Sequence, residues 1–467
     1  MSLDYCDNLP QKITIPVDIN EKEEFIHNPK SDFYNDKCHI YTSEYDTDLT
    51  MYDRKNNYNK KILALCEKNC EYIKYYSENK KVECKCATKT IFPELAGKVE
   101  KDLNLKGLLH QFVDVIKHWN LFLFKCYKVV FSSSGLKKNS GSYINIIILS
   151  GTIFCTIFFG IKGYRLYKKR INKIIDKKFE NTENIDTDAR LHSIMISNGS
   201  DINNINNKNN MSDINIIQNN QNIESNISKI NRKLTKPVNI FEINNLDYKQ
   251  ALELDKRSFS ELFLSFIKIM QPVYNTFFLE NDYNSSIIKI CLFLFSFILE
   301  YSINALFFND STMHKIYEDR GDYNFIYQLP QIIYSFLISL ALTKLLSYFI
   351  LSEEKISKIA ETKNTETENK INDLFKKSIC KLVIFFIIIL LLQLLFWYYL
   401  SSFCGVYKNT QGALIKDTII SFAISLFIYP YIFCIIPCTM RYCSLRAKNK
   451  NRQCLYNTSK KITDILS

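Results

Sequence analysis

Motifs of the common enzyme classes are missing from this chain of 467 residues. It contains no glycine loop of the phosphate-binding kind, no G-x-S-x-G turn and no H-E-x-x-H zinc pair. Each of these motifs places a reactive group where the chemistry needs it, so their absence argues against the corresponding enzymes. We predict a protein that is not an enzyme and has neither a cofactor nor a metal site.

A secretory signal peptide is also missing, because the opening stretch MSLDYCDNLPQKITIPVDIN has no apolar core. Either the first apolar segment translocates the residues before it, or the chain is the downstream part of a longer protein. We favour the second interpretation.

Charged residues are scarce in five long segments, although the whole chain has a mean hydropathy of only −0.12. A helix of roughly 20 residues crosses the hydrocarbon layer, and at that length only helices satisfy their own backbone hydrogen bonds in lipid. We therefore predict a mostly α integral membrane protein with a small cysteine-stapled N-terminal ectodomain. The predicted transmembrane helices are 143–161, 287–308, 325–350, 379–403 and 418–438, of which the last four form a bundle over 287–438.

The distribution of Lys and Arg predicts how the chain is threaded through the membrane. Eight of them follow the first predicted helix closely, between Lys162 and Lys178, and such a basic flank is typical of the cytoplasmic side. Alternation then places segments 309–324 and 404–417 outside, each with two Lys or Arg, and 351–378 inside, with six. The N-terminus is predicted outside or lumenal, and the basic tail 439–467 inside, in the plasma membrane or an endomembrane.

Cysteines are concentrated in the predicted outer module, residues 1–130. If this module is outside, six of them form three disulfides, for which 15 connectivities exist. If it were cytosolic, Cys66, Cys70, Cys84 and Cys86 would instead offer a zinc site, although the spacing departs from paired C-x2-C motifs. We favour disulfides, and the candidates are Cys6, Cys38, Cys66, Cys70, Cys84 and Cys86.

The stretch 162–257 begins basic and continues into an Asn-rich tract, NNINNKNNMSDINIIQNNQNIESN, which lacks enough apolar residues to form a core. We predict a cytoplasmic linker over this range. The next segment, 258–280, begins with Ser258 and Glu261 at the spacing of a capping box. Its apolar residues fall on one face, which predicts an amphipathic helix at the membrane interface; a sixth span is the alternative.

Two polar residues lie deep within the predicted spans. Glu300 is costly in hydrocarbon, and such residues either line a functional site or act as protonated partners that join helices. Counting along the helices places Gln393 at the same depth, since both lie about 20 Å above the cytoplasmic ends of their spans. We predict a hydrogen bond between Glu300 and Gln393.

The loop NALFFNDSTMHKIYEDRGDYNFIYQLPQIIYS contains one possible metal-binding spacing. Asp310, His314 and Glu318 recur every four residues and would share one face of a helix. A solvent-facing trio lacks the enclosed surroundings of a metal site. We favour a two-turn helix, capped by Asp310 or Ser311 and ended by Gly321, whose charges are solvated.

Two parts of the chain resemble a family of uncharacterised multi-pass membrane proteins of unicellular eukaryotes. They are the block from NALFFNDSTMHKIYEDRGDYNFIYQLPQIIYS to FCGVYKNTQGALIKDTIISF and the stretch NDKCHIYTSEYDTDLTMYDRKNNY. In that family a cysteine-bearing surface region precedes a similar bundle. The resemblance implies a membrane anchor with an outer module, and it implies no particular chemistry.

The net charge of +12 resides in the flanks of the apolar segments, so we predict the lipid bilayer as the partner and no nucleic acid. Two functions remain open. The first is a non-enzymatic membrane protein that anchors a cysteine-rich surface module, with an extracellular protein or a second copy as further partner. The alternative is a channel or transporter using 287–438. A conducting path needs polar side chains at several successive depths, whereas helix joining needs one or two.

Overall fold

The computed structural model describes residues 11–17, 21–58, 65–66, 70–86, 119–170, 172–173, 240–279, 285–348, 367–446 and 452–466. Within these ranges, five helices are long and apolar enough to cross a membrane: Ser140–Arg170, Ser286–Phe307, Phe325–Ser347, Ile379–Val406 and Gln411–Arg446. The predicted fold class is confirmed. The predicted fifth helix began too late, because the observed one starts at Gln411 and therefore includes Asp417.

Among the described residues are three strands and nine α-helices of nine or more residues. The strands are β1 (Gln11–Pro16), β2 (Cys70–Tyr76) and β3 (Lys81–Cys86). The helices are α1 (Ser140–Phe158), α2 (Phe259–Met270), α3 (Ser286–Phe307), α4 (Asp310–Glu318), α5 (Phe325–Tyr348), α6 (Thr367–Val406), α7 (Gln411–Ala423), α8 (Tyr429–Arg446) and α9 (Gln453–Leu466). Shorter α-helical pieces are Asp32–Asn35, Met51–Asp53, Tyr127–Val130, Ser133–Leu136, Ile240–Asn245, Tyr248–Leu254 and Pro272–Phe277. π-Helical turns at Phe159–Gly163 and Ile424–Ile428 extend α1 and join α7 to α8.

The chain divides into two compact units. The first unit consists of Met1–Ser150, Ser296–Ala341 and Leu391–Phe422, and the second of Gly151–Phe295, Leu342–Leu390 and Ala423–Ser467. The cysteine-containing module and the polar residues that form the candidate site belong to the first unit.

A small antiparallel sheet forms part of the first unit, with strand order β1-β3-β2. Two disulfides, Cys66–Cys84 and Cys70–Cys86, join its strands and the turn before β2. The central strand β3 is the most buried, and Val82 and Cys84 are fully enclosed. A sheet of this size has little apolar area to bury, so covalent links contribute much of its stability.

The predicted cysteine set was wrong in one member. Cys38 forms a disulfide with Cys126, which was not among the six predicted candidates. Cys6 lies outside the described residues, and its five proposed partners are all bonded to other cysteines. Sequence spacing could not reveal the Cys38–Cys126 bond, because the two residues lie 88 positions apart and meet only through tertiary packing.

The segment that leads to α1 is packed among the helices of the first unit. Leu123 and Cys126 are buried in one apolar cluster with Tyr301, Tyr399 and Phe403. The Tyr399 hydroxyl also donates to the backbone oxygen of Asn120 at 2.9 Å, so a polar bond supports the apolar contact. The Cys38–Cys126 disulfide therefore links the N-terminal module to a segment that is itself packed among the helices.

The second unit contains α2, whose predicted capping box is present: the side chains of Ser258 and Glu261 each bond the other's backbone N–H. The predicted single helix over 258–280 is wrong, because α2 ends at Met270 and a new helix starts at Pro272. A proline disfavours helical backbone in the residue before it, and Gln271 accordingly has ψ of 116°.

The predicted linker and tail also need correction. The last part of 162–257 is folded, because Ile240–Asn245 and Tyr248–Leu254 are helical. The tail forms the amphipathic helix α9, and Tyr456 from this helix packs with Tyr248 and Ala251. The Asn-rich tract itself lies outside the described residues.

Candidate functional site

Buried polar side chains line the facing sides of three helices in the first unit. We call this set the polar seam, and each of its nine members is at most 2% exposed. Its members are Glu300 and Asn304 on α3, Gln328, Gln331, Ser335 and Ser339 on α5, and Asp417, Thr418 and Ser421 on α7. Apart from the adjacent pair Asp417 and Thr418, neighbouring members on each helix are three or four residues apart, which places them along one face of that helix. Polar groups therefore occur at several successive depths.

Asp417 is fully buried, and it lies at the end of the polar seam that is next to Tyr323; we call this the upper end. One carboxylate oxygen accepts a hydrogen bond from the Tyr323 hydroxyl, and the other accepts one from the Gln331 amide. The same Gln331 amide nitrogen donates to Gln328. Burial, together with the bond to Asp417, raises the pKa of the Tyr323 phenol. Neutral donors thus satisfy both carboxylate oxygens.

Glu300 lies lower in the seam and was predicted to bond Gln393, which is wrong. Its carboxylate accepts a hydrogen bond from the Ser421 hydroxyl, one helical turn along α7 from Asp417. Ser335 donates to the backbone oxygen of Glu300 at 3.2 Å. Gln393 is fully buried on α6, but it is not the partner. Counting residues along a helix predicts the depth of a side chain, but depth does not say which way the side chain faces.

The side-chain oxygen of Asn304 is an unsatisfied hydrogen-bond acceptor within the polar seam, as far as the described residues show. Its amide nitrogen lies 3.5 Å from the Thr418 hydroxyl, a long contact, and its side chain is fully buried. Its Oδ1 atom has no hydrogen-bond partner among the described residues. A buried polar atom without a partner costs roughly 1–3 kcal/mol, and a bound water or ion is one arrangement that removes this cost.

A surface cavity lies against the upper end of the polar seam. Its volume is about 350 Å³, and its lining includes Tyr45, Thr47, Arg320, Tyr323, Thr410 and Lys416. Tyr323 lines this cavity and also bonds Asp417, so one side chain connects the surface with a buried carboxylate. Arg320 and Gly321 shape this wall through left-handed backbone, with φ of 55° and 86°.

Asp48 of the N-terminal module attaches to the beginning of α7. Its Oδ2 atom accepts from the backbone N–H groups of Asn409 and Thr410 at 2.7 and 2.8 Å, and from the Thr410 hydroxyl at 2.9 Å. Free N–H groups at a helix start favour an anion, and here the anion comes from a residue more than 360 positions away. Burial nevertheless outweighs these bonds and raises the pKa of Asp48 to about 6.

The predicted two-turn helix in the loop is confirmed as α4, with Asn309 rather than Asp310 or Ser311 as its cap. Its His314 contacts Glu318 at 3.5 Å and bonds Asp53 of the module through Nδ1 at 2.5 Å. Among the described residues, no cluster of three or more His, Cys, Asp or Glu could hold a metal. Burial raises the pKa of the neighbouring Asp310. His314 thus serves as a second attachment point for the module.

The second unit has its own polar centre, which the sequence did not reveal. Arg441 of α8 is 1% exposed and donates to the backbone oxygens of Ile243 and Asn244 at 2.6 and 2.7 Å. Asp255 accepts two bonds from Arg257 at 2.7 Å and lies 3.3 Å from Arg441. Burial alone would raise the pKa of Asp255, but the bond from Arg257 and both positive charges hold it below its usual value. This network joins the end of the predicted linker to α8.

Asp417 and Asp48 are the two carboxylates of the site that the sequence argument missed. Asp417 had been placed in the outer loop 404–417, although the pair Asp417 and Ser421 has helical spacing and offered a local signal. Asp48 offered no such signal, because its partners are distant in sequence.

Comparison with known proteins gives no relative: no protein-family model matches the chain, and no curated protein or solved structure is similar to it. Its function must therefore be argued from its own residues.

Proposed function

We propose that this chain is a non-enzymatic, multi-pass membrane protein that holds a disulfide-linked module against the outer ends of its membrane helices. The observation that carries the proposal is the double attachment of the module. Cys38 is covalently bonded to the segment before α1, and Asp48 is hydrogen-bonded to the start of α7. A module held at both places is a fixed part of the bundle. An extracellular protein or a second copy of the chain remains the proposed partner, in keeping with the family resemblance.

The proposed orientation has the N-terminus outside or lumenal and the C-terminus in the cytoplasm. Disulfides form in oxidising compartments, and three of them are present in the module. The excess of Lys and Arg in 351–378 and in the tail agrees with this direction.

Accessibility of single cysteines to an impermeant maleimide tests this orientation. Ser311 is exposed on α4 and would report the outer side as Ser311→Cys, whereas native Cys454 is exposed on α9 and reports the inner side. In a background without Cys6 and without the exposed thiols Cys380 and Cys443, intact cells should label only the Ser311→Cys site, and permeabilised cells both. Labelling of Cys454 alone on intact cells would reverse the proposed topology.

The polar seam favours a second candidate function, the movement of small cations through the bundle. Its side chains occur at several depths, from Gln328 to Ser339 along α5, which is the pattern expected of a path rather than of a single joining contact. Glu300 and Asp417 both contribute carboxylates to it, and intramembrane carboxylates recur in cation pathways.

Flux into proteoliposomes containing the purified chain tests this second function. Glu300→Gln preserves the shape of the side chain and should abolish cation uptake if Glu300 is part of the path. Ser302→Ala is the matched control, because Ser302 is a buried residue of the same helix whose hydroxyl, among the residues that the structure describes, bonds only the backbone oxygen of Ile298. Equal uptake by wild type, Glu300→Gln and protein-free vesicles would refute the movement of cations.

A further inference from the structure

We propose that the polar seam binds one monovalent cation of Na⁺ size between α3 and α7. The ligands are the Glu300 carboxylate, the Asn304 Oδ1 atom and the hydroxyl oxygens of Thr418 and Ser421. This inference deepens the second candidate function and rests on the same site, but it concerns binding and holds whether or not the ion is moved.

The chemistry of the four side chains fits a hard cation. All of the proposed ligand atoms are oxygens, which Na⁺, Mg²⁺ and Ca²⁺ prefer over nitrogen and sulfur. Asn304 and Glu300 are four residues apart on α3, and Thr418 and Ser421 are three apart on α7, so each pair spans one helical turn. Two contacts hold the helices together at this level, Ser421 with Glu300 and Asn304 with Thr418.

The unsatisfied Asn304 oxygen is the observation that points to a ligand. Asn304 is fully buried, and its Oδ1 atom has no donor among the described residues, although its amide nitrogen faces Thr418. A cation bound beside this oxygen would remove the cost of leaving it unpaired. A buried water would do the same without any preference for a particular ion, and the test below separates the two.

The charge of the site selects a monovalent ion. Both oxygens of Asp417 already accept hydrogen bonds, from Tyr323 and Gln331, so Asp417 is not one of the ligands. The Glu300 carboxylate accepts one hydrogen bond among the described residues, from Ser421, and is the one carboxylate ligand. One carboxylate ligand balances one positive charge, whereas a divalent ion held by the same four side chains would leave a net charge on the ion and its ligands, which is costly in a low-dielectric interior.

Access to the proposed site begins at the cavity of about 350 Å³ described above. Tyr323 separates this cavity from Asp417, and Asp417 is followed by Thr418 and Ser421 on the same helix. The proposed site therefore lies behind a side chain that could rotate away without disturbing the helix backbone, since Tyr323 precedes the first residue of α5.

Thermal unfolding of the full chain in detergent provides the test, with NaCl compared with N-methyl-D-glucamine chloride at equal ionic strength. Na⁺ should raise the Tm of the wild type in a saturable manner, because a ligand that binds only the folded state stabilises it. Glu300→Gln should lose this Na⁺-dependent rise, and the control Ser302→Ala should keep it.

Equilibrium binding of ²²Na⁺ to the purified chain gives an independent measurement if Glu300→Gln fails to fold. Wild type should bind about one ion per chain, and Asn304→Leu or Ser421→Ala should weaken the binding at least tenfold. Identical Tm values in both salts and no bound ²²Na⁺ would overturn the proposal and leave a protonated Glu300 beside a buried water. Binding without flux would keep the site and refute the movement of cations.

Discussion

At the scale of single residues, Asp48 is the most informative, because it caps α7 although it lies more than 360 positions away in sequence. Asp48 accepts three hydrogen bonds at the start of α7, yet burial still makes its charged form costly, and its pKa is raised to about 6. An acid whose folded pKa exceeds its unfolded value of 3.8 binds more protons when folded. Its contribution to stability is therefore present at low pH and is lost as pH rises through the folded pKa.

The Asp48→Asn variant tests this sign. Wild-type stability should fall between about pH 4 and about pH 6, following the two pKa values, and this part of the pH dependence should disappear in Asp48→Asn. The amide oxygen can still accept from Asn409 and Thr410, so the variant should be as stable as wild type, or more stable, at pH 7. Thermal unfolding in detergent at a series of pH values measures both effects.

Asp48→Ala is the matched control, because it removes the acceptor and leaves the helix start uncapped. It should be less stable than Asp48→Asn by about 1 kcal/mol at every pH in this range, because neither variant has the titrating carboxyl group and only Asp48→Asn keeps the acceptor. If Asp48→Asn retained the full wild-type pH dependence between pH 4 and 6, another group would be responsible for it.

At this scale, the sequence predicted a site residue only where a charged residue stood in an apolar segment. Glu300 stood out because a charge in an apolar run is expensive, and the structure indeed buries it in the polar seam. Its partner could not be derived, since Ser421 and Gln393 are both polar residues at plausible depths and only the packing of α7 distinguishes them. Asp48 is an ordinary acidic residue in the sequence and becomes important only through tertiary contact.

At the scale of helices and strands, local signals were the most reliable. The capping box at Ser258 and Glu261 predicted where α2 begins, because the interaction is contained within four residues. The end of α2 was missed, although Pro272 is a local signal too, since the apolar face continued past it. The fifth span began seven residues before its predicted start, because polar residues such as Asp417 can be helical when a neighbouring helix supplies partners.

The contribution of the α2 cap can be measured directly. Ser258→Ala removes the acceptor for the Glu261 N–H and should destabilise the first turn of α2 by about 1 kcal/mol. Hydrogen exchange should show faster exchange of the amides in the first turn of α2. Ser260→Ala, an exposed serine on the same helix that is not the cap, should leave these amides unchanged. Equal exchange in the two variants would mean that packing, and not the Ser258 cap, holds the first turn of α2.

At the scale of the whole molecule, composition was sufficient to identify the membrane helices, because an apolar run of that length has few alternatives in water. Long-range pairing was beyond the sequence. Six candidate cysteines allowed 15 connectivities, and the correct set included Cys126, which is buried in the helical cluster of the first unit.

Non-reducing peptide mapping checks the disulfide pattern. Linked peptides should join Cys38 to Cys126, Cys66 to Cys84 and Cys70 to Cys86. Cys126→Ser should lower the free energy of unfolding by about 4.6 kcal/mol, the value expected for a loop of this length, and Cys443→Ser, at an exposed free thiol, should have little effect. A linked peptide joining Cys6 to any of these six cysteines would contradict the pattern.

The position of the Cys38–Cys126 bond determines what a protease can do to this protein. A single cleavage anywhere between these two residues leaves both fragments in one covalent molecule, because the disulfide bridges the cut. Only residues 127–139 separate Cys126 from α1, and this stretch contains two short helices, Tyr127–Val130 and Ser133–Leu136. A single protease can therefore release the intact module only by cutting within residues 127–139. A cut between Cys38 and Cys126 releases the N-terminal fragment only if a reductant also breaks the disulfide.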